Sequence, residues 1–350
     1  MGWKWVGVGL GMGAIALSMG HLRPAIADSI EQQLDIRPFG DAVNRDRDVA
    51  DRLMQLGNQQ RADGSYLQAI NTWYQAIDAY DRLGDLSAIG IAYDFIGLTY
   101  AELGRYLEAE DALRRRLAVA LDNEDLHGQV FGWNNLGSLF LQRGNLTAAE
   151  DSFNQGLDVA QSTENSRGIG LSLSNLALVE RSRGNYRDAV KLLERAGGFR
   201  FRSGDLLGEA NTLNNLGDLY TQLGEPRRAL GAYGVALRSA DAAGDRPLQL
   251  HALNGLYRAY QTLEAQGENF GFNLEQVLDQ RVALTLGEEA SPEQRLITYY
   301  QLGEFFELEG DLATAEGFYQ RALIIARAID VPQQEALVTN RLLRLQALME

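Results

Sequence analysis

The side chains in this 350-residue sequence that could do chemistry are few in kind. Beyond Ala27 the histidines are His127 and His251, and the chain has no cysteine. That excludes thiolate nucleophiles, disulfides, cysteine-ligated metals and a bacterial lipoprotein anchor. No His-Glu-x-x-His, nucleophile elbow or phosphate loop occurs. The carboxylates are spread along polar positions, with nothing that pairs two of them for acid–base work. His251 reads as a lone solvated histidine. The runs Arg114-Arg115-Arg116 and Arg181-Ser182-Arg183 are surrounded by acids, which points to intrahelical pairing rather than an anion site. The expectation is a chain that is not an enzyme and holds neither cofactor nor metal. What does recur is asparagine, at Asn134-Asn135, Asn175, Asn214-Asn215 and Asn254. A carboxamide offers a donor and an acceptor together, so it can pair with a peptide backbone of any sequence.

These asparagines fall in step with a period of 40, so the elements that hold them must repeat. Leu56, Ile96, Leu136, Leu176, Leu216 and Leu256 mark the period. Small residues follow at Gly57, Gly97, Gly137, Ala177 and Gly217, then glycines at Gly64, Gly104, Gly144, Gly184 and Gly224, then alanines at Ala69, Ala109, Ala149, Ala189 and Ala229. After a six-residue insertion the pattern resumes at Leu302, Gly303, Gly310 and Ala315. A fixed period of this length is the mark of a stacked repeat. Each unit reads as two helices. Trp133, Leu136, Gly137 and Phe140 share one helical face, Gly144 ends that helix, and Asn145 caps the next, whose apolar positions include Leu146, Ala149, Phe153 and Leu157. Ser65, Asn185 and Asp311 occupy the same cap slot, and Pro226 stands where a first-turn proline is tolerated. Asn145-Leu146-Thr147 therefore reads as a cap rather than a glycosylation site. Gly137 and Ala149 are expected to let the two helix backbones approach closely.

The pattern Trp133-x-x-Leu136-Gly137-x-x-Phe140, followed by Gly144, Ala149, Phe153 and Gly156, resembles the tetratricopeptide repeat. The resemblance covers about residues 47–350. The units are longer than the usual form and lack its terminal proline. They are similar to the longer variety of kinesin light chains, Pins-type adaptors and bacterial regulators, with Gly-Asp connections at Gly84-Asp85, Gly204-Asp205 and Gly244-Asp245. The resemblance implies an all-α, right-handed α-solenoid of about seven hairpins plus a C-terminal capping helix. The hairpins fall near 47–86, 87–126, 127–166, 167–206, 207–246, a degenerate 247–290, and 291–333, with the cap at 335–349. Two departures stand out. Arg116 fills a slot usually kept small, which predicts a locally spread second hairpin. The sixth unit has Glu264 where the separating glycine belongs and inserts Gln266 to Phe272, as a tolerated surface loop, a bend or a partner-contacting loop.

The resemblance also implies that the first helix of each hairpin lines a concave groove that takes an extended peptide or a partner helix. Carried over position by position, it puts Asn134, Asn135, Asn175, Asn214, Asn215 and Asn254 on that groove, with Leu98, Phe131, Leu171 and Leu178 as an apolar floor and Asp218, Arg258 and Glu304 as a charged end. The alternatives are that the asparagines bond neighbouring helices and that the apolar residues are core. The implied function is a protein-interaction scaffold. The other function open is a structural or self-associating assembly factor acting through the convex face.

The formal net charge is -15. A polyanion of this size repels phosphate backbones and anionic membranes, so the expected partner is a protein or peptide, not nucleic acid. The first residues have the order of a secretory signal peptide: Lys4, an uncharged run from Val6 to Gly20, then Ala25-Ile26-Ala27. The run is too short to span a bilayer, so cleavage after Ala27 leaves no stable membrane insertion. Removal of Lys4 and Arg23 takes the net charge from -15 to -17. Residues 28–46 read as a polar lead-in. The expected destination is the periplasm, or the thylakoid lumen in a cyanobacterium.

Overall fold

The structure is a computed structural model that describes residues 45–287 and 290–350. The expected signal peptide and residues 28–44 of the lead-in lie outside the described residues. The described chain forms seven helical hairpins and a last helix. They are α1 (Arg45–Ala62) with α2 (Tyr66–Leu83), α3 (Leu86–Glu102) with α4 (Tyr106–Asp122), α5 (Leu126–Gln142) with α6 (Leu146–Ser162), and α7 (Ser166–Ser182) with α8 (Tyr186–Ser203). There follow α9 (Leu206–Gln222) with α10 (Pro226–Ala243), α11 (Arg246–Ala265) with α12 (Gly271–Thr285), α13 (Pro292–Leu308) with α14 (Leu312–Ala328), and α15 (Pro332–Met349). No described residue lies in a strand. The fold is an all-α repeat solenoid.

Local chemistry sets the helix ends. Gly144 takes φ 76°, a left-handed turn that glycine adopts without strain. Asn145 then caps α6, its side chain accepting from the Ala148 N–H at 3.2 Å. Asp85, Asp205 and Asp245 cap the first helices in the same way, and Asp311 caps α14. Each such cap contributes about 1 kcal/mol. Ser65 and Asn185 occupy cap positions without a side-chain cap bond, and Pro226 opens α10.

The repeated glycine after the marker leucine has a use beyond the one expected. A Cβ on Gly137 would stand 2.6 Å from the Phe153 ring. Clashes of the same kind would arise between Gly57 and Trp73, Gly97 and Leu113, Gly217 and Tyr233, and Gly303 and Tyr319. Each glycine is a socket for a large side chain on the second helix of its own hairpin, and at Gly97 the Ala109 carbonyl also lies 3.3 Å from the Cβ position, so side-chain packing and close backbone approach both call for glycine there. Filling a socket forces a buried side chain aside, and overpacking of that kind costs about 1–3 kcal/mol.

Hairpins stack so that each second helix lies against its own first helix and the next one. From α3 to α11, neighbouring first helices also approach one another, whereas second helices do not. The stack therefore bends with first helices on its inner side. Its core passes from hairpin to hairpin: Trp73 stacks on Phe95 at 5.1 Å, and one cluster runs from Ala177 in α7 to Leu302 in α13. No hairpin encloses its own apolar face, so stability is shared along the stack.

Arg116 does not spread the second hairpin. Its side chain is buried, donates from Nε to Asp94 Oδ2 at 2.8 Å, and finds room over Gly90 and Gly128. Arg114 and Arg115, by contrast, pair outward with Glu110 and Asp111 one turn back. Two hairpins further along, Arg200 repeats the arrangement over Gly170 and Gly208, bonded to Asp205. In the sixth hairpin α11 runs through Glu264 to Ala265, and Gly267 (φ 93°) turns the chain. The insertion is tied down by Arg227 to Glu268 (2.6 Å) and by Phe270 against Tyr260 (5.2 Å).

Candidate functional site

The asparagines of the central first helices do not line an open wall. Asn134, Asn135 and Asn214 are each 0% exposed, and Asn175 and Asn215 are buried as well. Asn134 Nδ2 donates to Val130 O (2.8 Å) and to Ser172 Oγ of the next hairpin (2.9 Å). Asn175 donates to Asn134 Oδ1 (2.9 Å), and Asn135 to Asp94 Oδ1 (2.8 Å). Asn214 donates to Leu248 O at 3.1 Å. The column is thus a hydrogen-bonded ladder between hairpins. The expectation that these five face a groove is corrected, because the first helices approach closely enough to consume the space between them. The apolar floor is corrected for the same reason. Leu98, Phe131, Leu171 and Leu178 are all buried, and Phe131 packs on Leu171 of the next hairpin. They are core.

The charged end has two parts. Asp218 is held by Tyr233 Oη (2.7 Å) and His251 Nε2 (3.1 Å), so His251 is not a lone solvated residue. Burial pushes the Asp218 carboxyl up, but His251 and Tyr233 outweigh it and hold it below the usual carboxylate value. Tyr233 is raised, first by burial and then by the Asp218 charge, and its ring fills sockets at Gly217 and Gly255. Asp218 and His251 thereby fasten hairpin five to hairpin six.

Beyond that junction the inner face opens. The backbones of α11 and α13 do not pack together as the preceding first helices do, and the hairpin carrying the insertion lies between them. A pocket of about 220 Å³ occupies the space between α11, α13, the turn before α15 and α15 itself. Its apolar wall includes Leu296, Ile297, Leu337 and Val338; Asn254, Arg258, Gln301 and Glu304 supply the polar groups. Gln301 Nε2 donates to Asn254 Oδ1 at 2.8 Å, which fixes the Asn254 acceptor and leaves its amide N–H pair free. Arg258 is exposed, and its guanidinium makes no ion pair or hydrogen bond among the described residues. Asn254 and Arg258, one turn apart on α11, are two free donors on one face. Opposite them, Glu304 is paired with Arg341 at 3.2 Å, and Arg341 also reaches Glu307 at 3.5 Å. Burial pushes the Glu304 carboxyl up, and Arg341 only partly offsets it.

Of the groove residues singled out in the sequence, the structure brings Asn254, Arg258 and Glu304 to this pocket. Gln301 was missed, although it stands directly before Leu302 as Asn135 stands before Leu136. Carrying the column across the insertion finds it. Leu337 and Val338 carry no periodic signal, since α15 is the last helix. Among the described residues no three His, Asp or Glu side chains converge as metal ligands would, and no helix is long and apolar enough to cross a membrane.

Two tetratricopeptide repeat family models match the chain, at residues 131–196 and 212–247. No curated protein matches it. Among solved structures it is similar to a Signal Transduction ATPase with Numerous Domains protein with a tetratricopeptide repeat sensor from Pyrococcus horikoshii. The TM-score is 0.61 at 14% identity over 83% of this chain, which spans 44% of that one. It is also similar to the Rap conjugation gene regulator of plasmid pLS20, solved with the Phr* peptide (TM-score 0.52, 17% identity, 85% of this chain and 80% of that one). A third is a Rap protein complexed with competence and sporulation factor (TM-score 0.53, 14% identity, 91% and 82%). At these identities the likeness is one of fold. The chain thus carries tetratricopeptide repeats at residues 131–196 and 212–247, within an all-α solenoid whose period, socket glycines and stacked hairpins run on to either side of them.

Proposed function

We propose that this chain is a non-enzymatic interaction scaffold that takes a segment of a partner protein into the pocket between α11, α13 and α15. The observation that carries this reading is the pocket itself. It is concave and apolar-walled, and it presents two free donors, Asn254 and Arg258, beyond a stretch of inner face that is closed by its own ladder. Its volume suits one or two side chains rather than a whole small-molecule ligand, for which pockets run to about 300–1,000 Å³. The two Rap structures solved with a peptide or with competence and sporulation factor lend support by analogy of fold. The net charge of -15 favours a protein partner over nucleic acid.

The test is selection of peptides from a displayed library of short random sequences on the full chain, followed by affinity measurement of the enriched sequences. Arg258→Ala combined with Leu337→Asp should lower their affinity at least tenfold, whereas Asn154→Ala on the outer face of α6 should not. Equal binding to the pocket variant would end the assignment. We also propose that the chain is exported to the periplasm or a thylakoid lumen, on the order of residues in 1–27. An N-terminal sequence beginning at Asp28 on protein recovered from the source cell supports this, and an intact Met1 start on all of it opposes it.

A further inference from the structure

The outer faces of the second helices differ in charge. On α4 the exposed Arg114 and Arg115 are neutralised by Glu110 and Asp111 (2.9 and 2.8 Å). On α6 the acids Asp151 and Asp158 are exposed with no cation on the helix. On α8 and α10, which flank α9, the balance reverses. Arg187, Lys191, Arg195 and Arg202 lie along one face of α8, and Arg227 and Arg238 along the matching face of α10. Lys191 and Arg227 have acidic partners. Arg187, Arg195 and Arg238 have no ion pair or hydrogen bond among the described residues, and Arg202 only stacks on Phe199 at 4.3 Å. Four guanidinium groups thus stand uncompensated on a chain of net charge -15.

The same face has a shape that suits a partner. Phe201 is 72% exposed beside Arg202. Gly198, Gly231 and Gly234 interrupt the side-chain ridge in mid-helix. A Cβ on Gly231 would meet nothing within 4 Å, and on Gly198 and Gly234 only the tips of Arg202 and Arg238. Packing inside the chain therefore gives no reason for them, although glycine in a helix interior is the least favourable residue after proline. Their effect is to leave backbone bare between rows of cations, so that another backbone can come close while its acidic side chains reach the guanidinium groups.

We infer that the outer face of α8 and α10 is a second interaction surface, separate from the pocket, whose occupant is an acidic helix of a partner protein. A short acidic helix meets the local excess of cations without bringing the long run of phosphates that the rest of the chain repels. The probe is an alanine-based helical peptide of about five turns with Glu repeated along one face, compared with its Gln counterpart. Binding to the full chain is read by fluorescence anisotropy at low salt. The Glu peptide should bind at least tenfold tighter than the Gln peptide. Arg195→Glu with Arg202→Glu should remove that advantage. Gly231→Leu with Gly234→Leu should lower affinity about tenfold with the charge unchanged, while the unfolding midpoint of that variant holds or rises. Arg114→Glu with Arg115→Glu on α4 should leave binding as it was. The inference is overturned if the Gln peptide binds equally, or if the α4 and α8 reversals act alike. It is also overturned if the leucines have no effect, or if a single-stranded oligonucleotide of matching length or phosphatidylserine vesicles bind as tightly as the Glu peptide. Arg258→Ala leaves this binding untouched, so the pocket and this surface stand or fall separately.

Discussion

The stretch from α3 to α10 and the stretch from α11 to α15 are built from the same repeat, yet the inner side of the first is closed by its own hydrogen bonds where the second holds a pocket. In the first, the polar slots of consecutive first helices bond to one another: Asn135 to Asp94, Asn175 to Asn134, Ser174 to Thr212. In the second, the one corresponding rung is Gln301 to Asn254, and beside it the helices part to leave a pocket. A polar column on a repeat face is therefore not a binding site by virtue of its residue types. Whether it is open depends on how closely successive first helices approach, and here that changes at the hairpin that lost its separating glycine and gained an insertion.

The largest effect should come from breaking the closed stretch at its buried ion pair. Asp94 accepts from Arg116 and from Asn135, and all three are buried. Asp94→Ala leaves the buried Arg116 cation with Asp125 at 3.9 Å as its remaining carboxylate, so the loss should fall toward the lower end of the about 3–5 kcal/mol that removal of one partner of a buried pair costs. Denaturant unfolding should show that loss, with early exchange of amide protons in α3 to α5. Replacing both, Asp94→Leu with Arg116→Leu, should recover most of it. A single substitution with no loss would mean that the pair is solvated in solution.

The next contrast compares two asparagines in one column. Asn134→Ala removes bonds to Val130 and Ser172 and leaves the Asn175 amide without its acceptor, so it should cost about 1–3 kcal/mol. Asn254→Ala removes one rung at a half-open site and should cost less than about 1 kcal/mol while weakening the selected peptides. Equal stability losses in the two variants would erase the distinction between closed and open stretches.

How much of this was legible in the sequence follows from the range of each interaction. The repeat period, the Gly turns and caps such as Asn145 are set within a few residues, so the hairpins could be placed from the chain alone. The sockets were half legible. Gly137 and its equivalents stand out as a small column, but the side chain that fills each socket comes from the following helix, and nothing local connects the two. The site depended on curvature summed over several hairpins. Asn134 and Asn254 occupy the same slot with the same chemistry, and only the spacing of neighbouring first helices separates a ladder rung from a pocket donor. Arg116 is visible as an anomaly, but its remedy, Gly90 and Gly128, is written in two other helices.

The smallest and most diagnostic effect concerns two carboxylates on either side of α11. Asp218, toward the closed stretch, is held below its usual value by His251 and Tyr233, although burial works against this. Its bonds therefore stabilise the fold fully above the usual carboxylate range, and that contribution is lost as pH falls through the lowered value. Glu304, at the pocket, is raised by burial, with Arg341 only partly compensating. Its contribution has the opposite sign: it is fully present below the unfolded value of 4.5 and is lost as pH rises through the raised folded value. Asp218→Asn should then lower the unfolding midpoint at pH 7 and converge on the parent in acid. Glu304→Gln should match the parent in acid and exceed it at pH 7, by less than the Asn134→Ala loss, since Arg341 keeps Glu307. A gain at pH 7 means that Glu304 is kept at the expense of stability. That is expected of a group facing a ligand and not of a rung in the ladder, so a loss at pH 7 would place Glu304 with the structural carboxylates and shrink the open site to its α11 wall.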